Sequence, residues 1–338
     1  MQVNTIGLDL SKQVFQVHGV DGAGVVVVRR RLRRSQVLGF FADLAPCVVG
    51  LEACGAAHHW GRELEKLGHA VRLMAPSYVK PYVKRGKKND ATDAEAICEA
   101  VGRPGMRFVK VKSADQQGAL MLHRARALLV RQRTMLVNAL RGHLAEFGIV
   151  AARGIWNVKG LMALVADDGE GRIPMVARPA LRALADQIAA LGERLREIDR
   201  AILAWHKDNE ASRRLATIPG VGPITASAIA ATVGDGRQFR SGRHFAAWLG
   251  LVPRQHSSGG KEKLGRISKM GDRYLRTLLV IGATNRLRYA RTKTSADATW
   301  INRLLARRPP RLVTVALANK MARVAWAIMA RGGVYRAA

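Results

Sequence analysis

The sequence has few acidic residues for its size. Its 338 residues contain 25 Asp and Glu against 56 Lys and Arg, so the formal net charge is +31. Such a charge destabilises a compact chain by self-repulsion unless a polyanion neutralises it. The imbalance favours nucleic acid as the partner, while an ordinary apolar fraction of 48% argues against a disordered or fibrous chain.

Long apolar runs and paired cysteines are also missing. The most apolar stretch, Val313 to Ala330, is interrupted by Lys320 and Arg323, which argues against a membrane-spanning helix. Asp9 and Lys12 interrupt the first apolar stretch, so we expect no signal peptide and a cytoplasmic protein. The three cysteines lack the spacing of a zinc site, which predicts small buried thiols.

Aromatic residues make up only 5% of the chain. Because unpaired bases bind largely by stacking on aromatic rings, this scarcity favours backbone contacts to duplexes and to folded RNA. Two basic clusters, residues 29–34 and residues 80–88 with Lys88, are candidate nucleic-acid surfaces, although a run of like charges can also be a solvated face.

The first hundred residues alternate between β-rich and helical patterns. Three short β-rich runs, 3–10, 13–20 and 25–32, precede a helix at 35–44, a strand at 47–53, a helix at 57–67 and a strand at 69–74. Three antiparallel strands followed by alternating helices and parallel strands predict an α/β ribonuclease-H-like (RuvC-like) domain over residues 1–112.

The middle region, residues 113–210, has a helical period. Apolar residues spaced alternately by three and four predict a coiled coil or a long helical hairpin: Leu181, Leu184, Ile188, Leu191, Leu195, Ile198, Ile202 and Trp205. An earlier helix at 113–147 is either its antiparallel partner or a dimer contact. The glycine- and proline-containing stretch 148–179 is expected to be a tip or connector.

The last region, residues 211–338, is predicted to be a mainly α domain. Pro219-Gly220-Val221-Gly222-Pro223 resembles a helix-hairpin-helix, in which Gly220 and Gly222 let backbone N–H groups approach a phosphate. A glycine loop at 255–260 leads into five further candidate nucleic-acid-binding residues: Lys261, Lys263, Arg266, Lys269 and Arg273.

Four acids are candidates for metal binding. Asp9 lies near the end of the first predicted strand, and Glu52 ends the strand expected beside it. Asp90 and Asp93 are three residues apart at a helix start, although Asp90 could be only an N-cap and Asp93 only an acid favoured by the helix dipole. Together the four could hold two Mg²⁺ ions roughly 4 Å apart. Two ions at that distance stabilise both the attacking and the leaving oxygen when a phosphodiester bond is broken.

The motifs taken together resemble the DEDD-type insertion-sequence transposases, the serine-bearing recombinases guided by a bridge RNA. The resemblance runs in order from about residue 3 to about residue 330, through the segments 7–12, 51–55, 88–94, 219–223 and 257–261. Asn89 and the segment 264–272 resemble the subgroup whose elements carry subterminal inverted repeats.

The resemblance implies a role for each matching position. Asp9, Glu52, Asp90 and Asp93 would bind Mg²⁺. Ser258 would attack the scissile phosphate and form a phosphoserine link, with Ser257 as the alternative. It further implies donor and target DNA, a structured noncoding guide RNA and a homo-oligomer, dimeric or tetrameric, in which the acids of one protomer meet the serine of another.

We therefore expect a cytoplasmic, Mg²⁺-dependent site-specific DNA transposase or recombinase that associates with the nucleoid when active. Two other functions stay open. A hydrolytic resolvase-like nuclease would use the same acids with water, leaving Ser258 as a loop residue. A non-catalytic nucleic-acid scaffold would need the acids only for its structure.

Overall fold

The computed structural model describes residues 2–83, 89–290, 292 and 296–336. The chain forms two compact units, Met1–Gln117 and Gly118–Ala338. Lys88 and most of the basic cluster at 80–88 lie outside the described residues.

The first unit contains a mixed six-stranded sheet in the order β3-β2-β1-β4-β5-β6. Its strands are β1 Thr5–Asp9, β2 Val14–Val20, β3 Val26–Arg33, β4 Val48–Glu52, β5 Ala70–Met74 and β6 Phe108–Val109. β1 to β3 are antiparallel, whereas β4 and β5 run parallel to β1. This confirms the order predicted for the first five strands; the two-residue β6, antiparallel to β5, was not predicted.

In the described part of this unit the α-helices are α1 Val37–Ala42, α2 Ala57–Lys66, α3 Pro76–Val79 and α4 Asp90–Val101. Successive side chains of β1 and of β4 point to opposite faces of the sheet, so each strand contributes one set of residues to each face. Ile6, Leu8, Val49 and Leu51 belong to the main core of this unit and are fully buried. The residues between them are glycines, and helix α4 packs over that face.

The second unit begins with long helices. The two long ones are α5 Ala114–Ala145 and α7 Arg178–Asp208, and the shorter α6 Val158–Ala166 lies between them in the chain. Leu140 and Leu144 of α5 share a core with Leu181 and Ala185 of α7. Farther along, Arg126 Nε lies 2.5 Å from Asp199 Oδ1, so the numbering runs in opposite directions along the two helices.

α5 and α7 are therefore antiparallel partners, and the predicted helical hairpin is confirmed. The prediction that residues 148–179 form only a tip or connector is wrong in one respect, because this stretch contains helix α6. Leu161 and Val165 of α6 are buried in the same core as α5 and α7. This burial favours helix despite the glycines and acids nearby.

The remainder is mainly helical, as predicted. Its elements are α8 Glu210–Ala216, α9 Pro223–Val233, α10 Gly242–Trp248, β7 Pro253–Gln255, β8 Leu264–Ile267, α11 Arg273–Ala290, α12 Ala296–Leu305 and α13 Pro310–Arg331. The predicted glycine loop is the end of an antiparallel hairpin formed by β7 and β8. A single core joins α8 to α13, with Phe245, Leu275 and Leu279 fully buried.

Helix α13 is long and apolar enough to cross a membrane by length and composition alone. Its Ala318, Ala322 and Ala325 are nevertheless fully buried in the core of the second unit. An apolar helix inside a protein core has the same composition as a spanning helix, and here the packing accounts for it.

Candidate active site

Asp9 and Glu52 are the last residues of β1 and β4. The two strands are parallel neighbours, and Leu8 pairs with Leu51. One residue farther along, the two acids end their strands at the same edge of the sheet. The prediction that these two strands lie side by side is thus confirmed.

Asp90 and Asp93 lie in the first turn of α4. The cap of this helix is Asn89, whose Oδ1 accepts a hydrogen bond from Thr92 N at 2.9 Å, while Asn89 N donates to Thr92 Oγ1 at 3.1 Å. The alternative in which Asp90 serves as the N-cap is therefore wrong. Both carboxylates are at the positive end of the helix dipole, which favours negative charge.

Glycines bring α4 directly onto the sheet beside these acids. A Cβ at Gly7 would lie 2.1 Å from Ala94 O and 2.4 Å from Cys98 N, distances that no side chain tolerates. A Cβ at Gly50 would lie 2.8 Å from Val101 Cβ. The first turn of α4 is therefore held close to the strand that ends at Asp9.

The environment of Asp9 reflects this convergence. Burial, followed by the negative charges of Asp93, Asp90 and Glu52, raises the pKa of Asp9 to about 6. A hydrogen bond from the Leu10 backbone opposes the rise. The four predicted acids therefore interact electrostatically around Asp9.

The donor set fits a hard divalent cation, because Mg²⁺ prefers carboxylate oxygens. Within residues 2–83, 89–290, 292 and 296–336, no three acidic, His or Cys side chains are close enough together to bind one ion as they stand. Asp9, Glu52, Asp90 and Asp93 remain the predicted ligands.

Ser258 lies at the tip of the β7–β8 hairpin. Lys261 N donates to Ser258 O at 3.1 Å, and the two intervening residues, Gly259 and Gly260, have φ of 56° and 76°. Two successive positive φ values are typical of a type I′ hairpin turn, which glycine adopts without strain. The turn holds Ser258 at an exposed corner.

The neighbouring serine is engaged in the hairpin itself. Ser257 Oγ accepts a hydrogen bond from Lys263 N at 3.3 Å, and His256 N donates to Lys263 O at 2.8 Å. The Ser257 hydroxyl therefore helps to join the two strands, whereas Ser258 is the first residue of the turn.

The predicted cations surround this hairpin and continue beyond it. Lys261 flanks the turn, and Lys263 is on the returning side; both are exposed. The remaining exposed cations are Arg266, Lys269 and Arg273. A chain segment that carries cations next to a serine suits an anionic ligand such as a phosphodiester.

The two hairpin glycines ahead of α9 differ in their surroundings. Gly220 has φ of 91° and packs on α11, since a Cβ there would lie 2.8 Å from Arg286 Cγ and 3.1 Å from Gly282 O. Gly222 is exposed and precedes Pro223 at the first position of α9. Packing thus accounts for Gly220, and phosphate binding at both glycines stays a prediction.

A buried polar cluster in the second unit was not predicted. His123 of α5 is 1% exposed, with Nε2 3.1 Å from Ser227 Oγ of α9 and Nδ1 3.1 Å from Tyr274 Oη of α11. Burial, together with the charge of Arg126, lowers the pKa of His123 to about 4. A neutral imidazole therefore connects three helices, and a lone histidine in a helical stripe gives no sequence signal for it.

Comparison with known proteins defines the class. Residues 6–149 match a DEDD transposase model, and residues 212–298 match the model described as "Transposase IS116/IS110/IS902 family". The first match contains all four acids, and the second contains the Ser258 hairpin. The chain is thus a transposase by class, and transposases cleave and join DNA strands.

Relatives that match over nearly the whole chain show the family to which it belongs. The chain is 54% identical to a probable family 20 transposase of Pseudomonas aeruginosa, covering 99% of both chains. It is 43% identical to the transposase for insertion sequence element IS1328 of Yersinia enterocolitica, over 98% of both. It is 42% identical to the transposase for insertion sequence element IS1111A of Coxiella burnetii, over 99% of this chain and 92% of the relative. The protein belongs to the IS116/IS110/IS902 family of transposases.

Proposed function

We propose that this transposase is a site-specific recombinase that uses Mg²⁺ bound by Asp9, Glu52, Asp90 and Asp93 and forms a covalent phosphoserine link through Ser258. The observation that carries the proposal is the shared register of β1 and β4, which ends both strands in an acid at one edge. The ribonuclease-H-like (RuvC-like) assignment of the first unit is supported by its strand order.

The reaction would exchange one phosphodiester for another. Ser258 Oγ forms a bond to phosphorus, the bond from phosphorus to the 3′ oxygen breaks, and that oxygen takes a proton in place of the one lost by the serine. The link preserves the energy of the broken bond, so strands can be exchanged and resealed. Reversal by a different 3′ hydroxyl completes the exchange.

Two groups of residues would divide this work. A serine hydroxyl is a weak nucleophile that needs activation. Bound Mg²⁺ supplies Lewis-acid stabilisation of the phosphate and lowers the pKa of an oxygen that it contacts. Lys261 and Lys263 would stabilise phosphate charge beside the nucleophile. The turn with Gly259 and Gly260 would present the hydroxyl, while Ser257 holds the strands together.

We further propose the assembly that the motifs imply. Asp9 and its partners belong to the first unit and Ser258 to the second. The working site would combine acids from one protomer with serine from another in a homo-oligomer on donor and target DNA. A structured noncoding guide RNA would select the sequences. The matching Asn89 and 264–272 segments support the subgroup with subterminal inverted repeats, acting in the bacterial cytoplasm at the nucleoid.

A covalent-adduct assay tests the proposal. Purified protein is incubated with Mg²⁺, RNA transcribed from the flanking noncoding DNA, and labelled donor and target duplexes, and denaturing gels are examined for a protein–DNA adduct. We expect the adduct with the wild type and with Ser257→Ala, and its loss with Ser258→Ala and with Asp9→Ala.

The other outcomes separate the alternatives. Hydrolytic nicks that persist in Ser258→Ala without any adduct would identify a resolvase-like nuclease and overturn the serine mechanism. DNA binding without cleavage in the wild type, unchanged by Asp9→Ala, would favour a scaffold. An adduct in Ser258→Ala that is lost in Ser257→Ala would transfer the nucleophile to Ser257.

A further inference from the structure

A groove in the second unit brings together aromatic and cationic side chains that are far apart in the sequence. It lies between the start of α10, helix α12 and helix α13, with a cavity volume of about 850 Å³. The lining residues that carry charge or an indole ring are Arg243, Trp300, Lys320, Arg323, Trp326 and Arg331. No acidic residue of the described chain lines it.

Close packing brings together the two helices that carry Arg243 and Arg323. A Cβ at Gly242 would lie 3.0 Å from Arg323 Cα and 3.0 Å from Arg323 O, so α10 begins directly against α13. Arg243 and Arg323 consequently line the same groove from two helices. Like charges on one surface repel each other, and a bound anion relieves that repulsion.

The indole rings of the groove have defined positions. Trp326 Nε1 donates to Gly236 O at 3.2 Å and to Phe239 O at 3.1 Å, which fixes the ring orientation. The guanidinium of Arg331 lies 5.7 Å from the centre of that ring. Lys320 Nζ lies 4.8 Å from the centre of the Trp300 ring. Each of the two indole rings of the groove therefore has a cation over its face.

This combination of aromatic rings and cations in one groove matches the chemistry of a single nucleic-acid strand. Successive bases stack on aromatic rings or on guanidinium planes, while the phosphates between them pair with cations. In a duplex the base faces are covered by neighbouring pairs, so a duplex can use only the cations. The overall scarcity of aromatic residues predicted little stacking, but the fold places two of the six tryptophans in one basic groove.

We propose that this groove binds an unpaired segment of DNA, with phosphates at Arg243 and Arg323 and a base that replaces the Lys320 ammonium over the Trp300 ring. DNA is the expected strand because a transposase cleaves and joins DNA, and strand exchange requires paired strands to separate. None of the residues that line the groove belongs to the proposed acids or to the Ser258 hairpin, so this binding site goes beyond the proposed catalytic chemistry.

Fluorescence anisotropy without Mg²⁺ tests the site in the full-length protein. The probes are a fluorescein-labelled 12-mer of oligothymidylate, the matching 12-mer of oligouridylate and a 12-base-pair DNA duplex. We expect Trp300→Leu to weaken oligothymidylate binding about tenfold, as for the loss of one base–aromatic stack, with under a twofold effect on the duplex. Arg308→Gln, an exposed cation outside the groove, should leave all three affinities unchanged.

Salt dependence tests the phosphate contacts separately. Arg243→Gln combined with Arg323→Gln should reduce the slope of log affinity against log salt by about 1.4 for the single strand, since each phosphate contact contributes about 0.7. This second variant keeps Trp300, whose ring packs partly on the core, so it tests the groove if Trp300→Leu fails to fold.

Three results would overturn the proposal. Equal losses of affinity for the single strand and for the duplex would mean that the groove binds the phosphate backbone of any nucleic acid. Tighter binding of oligouridylate than of oligothymidylate, with the same sensitivity to Trp300→Leu, would replace DNA by RNA as the occupant. Unchanged affinity in both groove variants would exclude this groove. Ser258→Ala should bind like the wild type, so failure here is distinct from failure of the phosphoserine chemistry.

Discussion

Asp9 and Glu52 end two neighbouring parallel strands in the same register, although 42 other residues separate them in the chain. Burial and the charges of Asp93, Asp90 and Glu52 together raise the pKa of Asp9. The site therefore stores electrostatic repulsion that a divalent cation would relieve, a relation that stability measurements can detect without DNA.

Replacing Asp9 by Asn should stabilise the metal-free protein near pH 7.5. The folded pKa of about 6 exceeds the ordinary value of 3.8, so the folded state binds more protons than the unfolded state between those values. Wild-type stability should consequently decrease as pH rises from about 4 to about 6 and stay lower above that. Thermal unfolding of both proteins across this range measures the difference.

The exposed Asp186→Asn on α7 is the control and should leave the midpoint unchanged. Added Mg²⁺ should raise the unfolding temperature of the wild type but not of Asp9→Asn. An Asp9→Asn protein that is less stable than the wild type at pH 7.5 would contradict the repulsion argument.

Gly7→Ala should disrupt the contact that holds α4 against β1. The added methyl would lie 2.1 Å from Ala94 O, and the backbone must move because no flexible side chain is there to give way. Overpacking of this kind costs about 1–3 kcal/mol or more. Denaturant unfolding should show that loss, and the Mg²⁺-dependent adduct should be lost with it.

Gly39→Ala on α1 is the matched control, since a Cβ there meets nothing within 4 Å. It should be neutral or slightly stabilising, because alanine is a better helix former than glycine. Wild-type stability in Gly7→Ala would mean that α4 does not pack this closely.

The turn at the tip of the hairpin should tolerate asparagine but not valine at residue 259. Gly259 has φ of 56°, a left-handed conformation that asparagine adopts at little cost and a β-branched residue does not. We therefore expect Gly259→Asn to form the covalent DNA adduct and Gly259→Val to lose most of it. Equal activity of the two variants would show that this turn does not position the nucleophile.

His123 should make the second unit sensitive to acid. Its folded pKa of about 4 lies below the ordinary 6.5, so the unfolded state binds the proton first as pH falls. Stability present above about pH 6.5 should decrease by up to about 3 kcal/mol as the pH approaches 4. Chemical unfolding at several pH values measures this slope.

His123→Gln should flatten the slope, because the substituted side chain does not titrate. His143→Gln on the exposed side of α5 should keep the wild-type slope. If His123→Gln does not fold, Ser227→Ala removes one partner of the imidazole and should change the slope instead. An unaltered slope in His123→Gln would contradict the assignment.

Local patterns predicted most of the elements but not all of their limits. The first five strands of the sheet and the helices α5 and α7 follow from apolar periodicity, which the chain carries within each segment. Helix α6 was missed because glycines and acids surround it, whereas burial of Leu161 and Val165 decides its structure. Strands β7 and β8 are exposed at every position except Ile267, so they have no alternating apolar pattern to detect.

The sequence by itself determined the net charge, the apolar stripe of α7 and the positions of the four acids and two serines, because each is a property of residue type and short-range spacing. Hydrogen bonds between residues close in the chain show that Asn89 rather than Asp90 caps α4 and that Ser257 is bonded within the hairpin. Only the tertiary structure decided that α4 lies directly against Gly7 of β1 and that Trp300 and Arg243 line one groove. Those two contacts depend on distances in space that are set when segments far apart in the chain pack together.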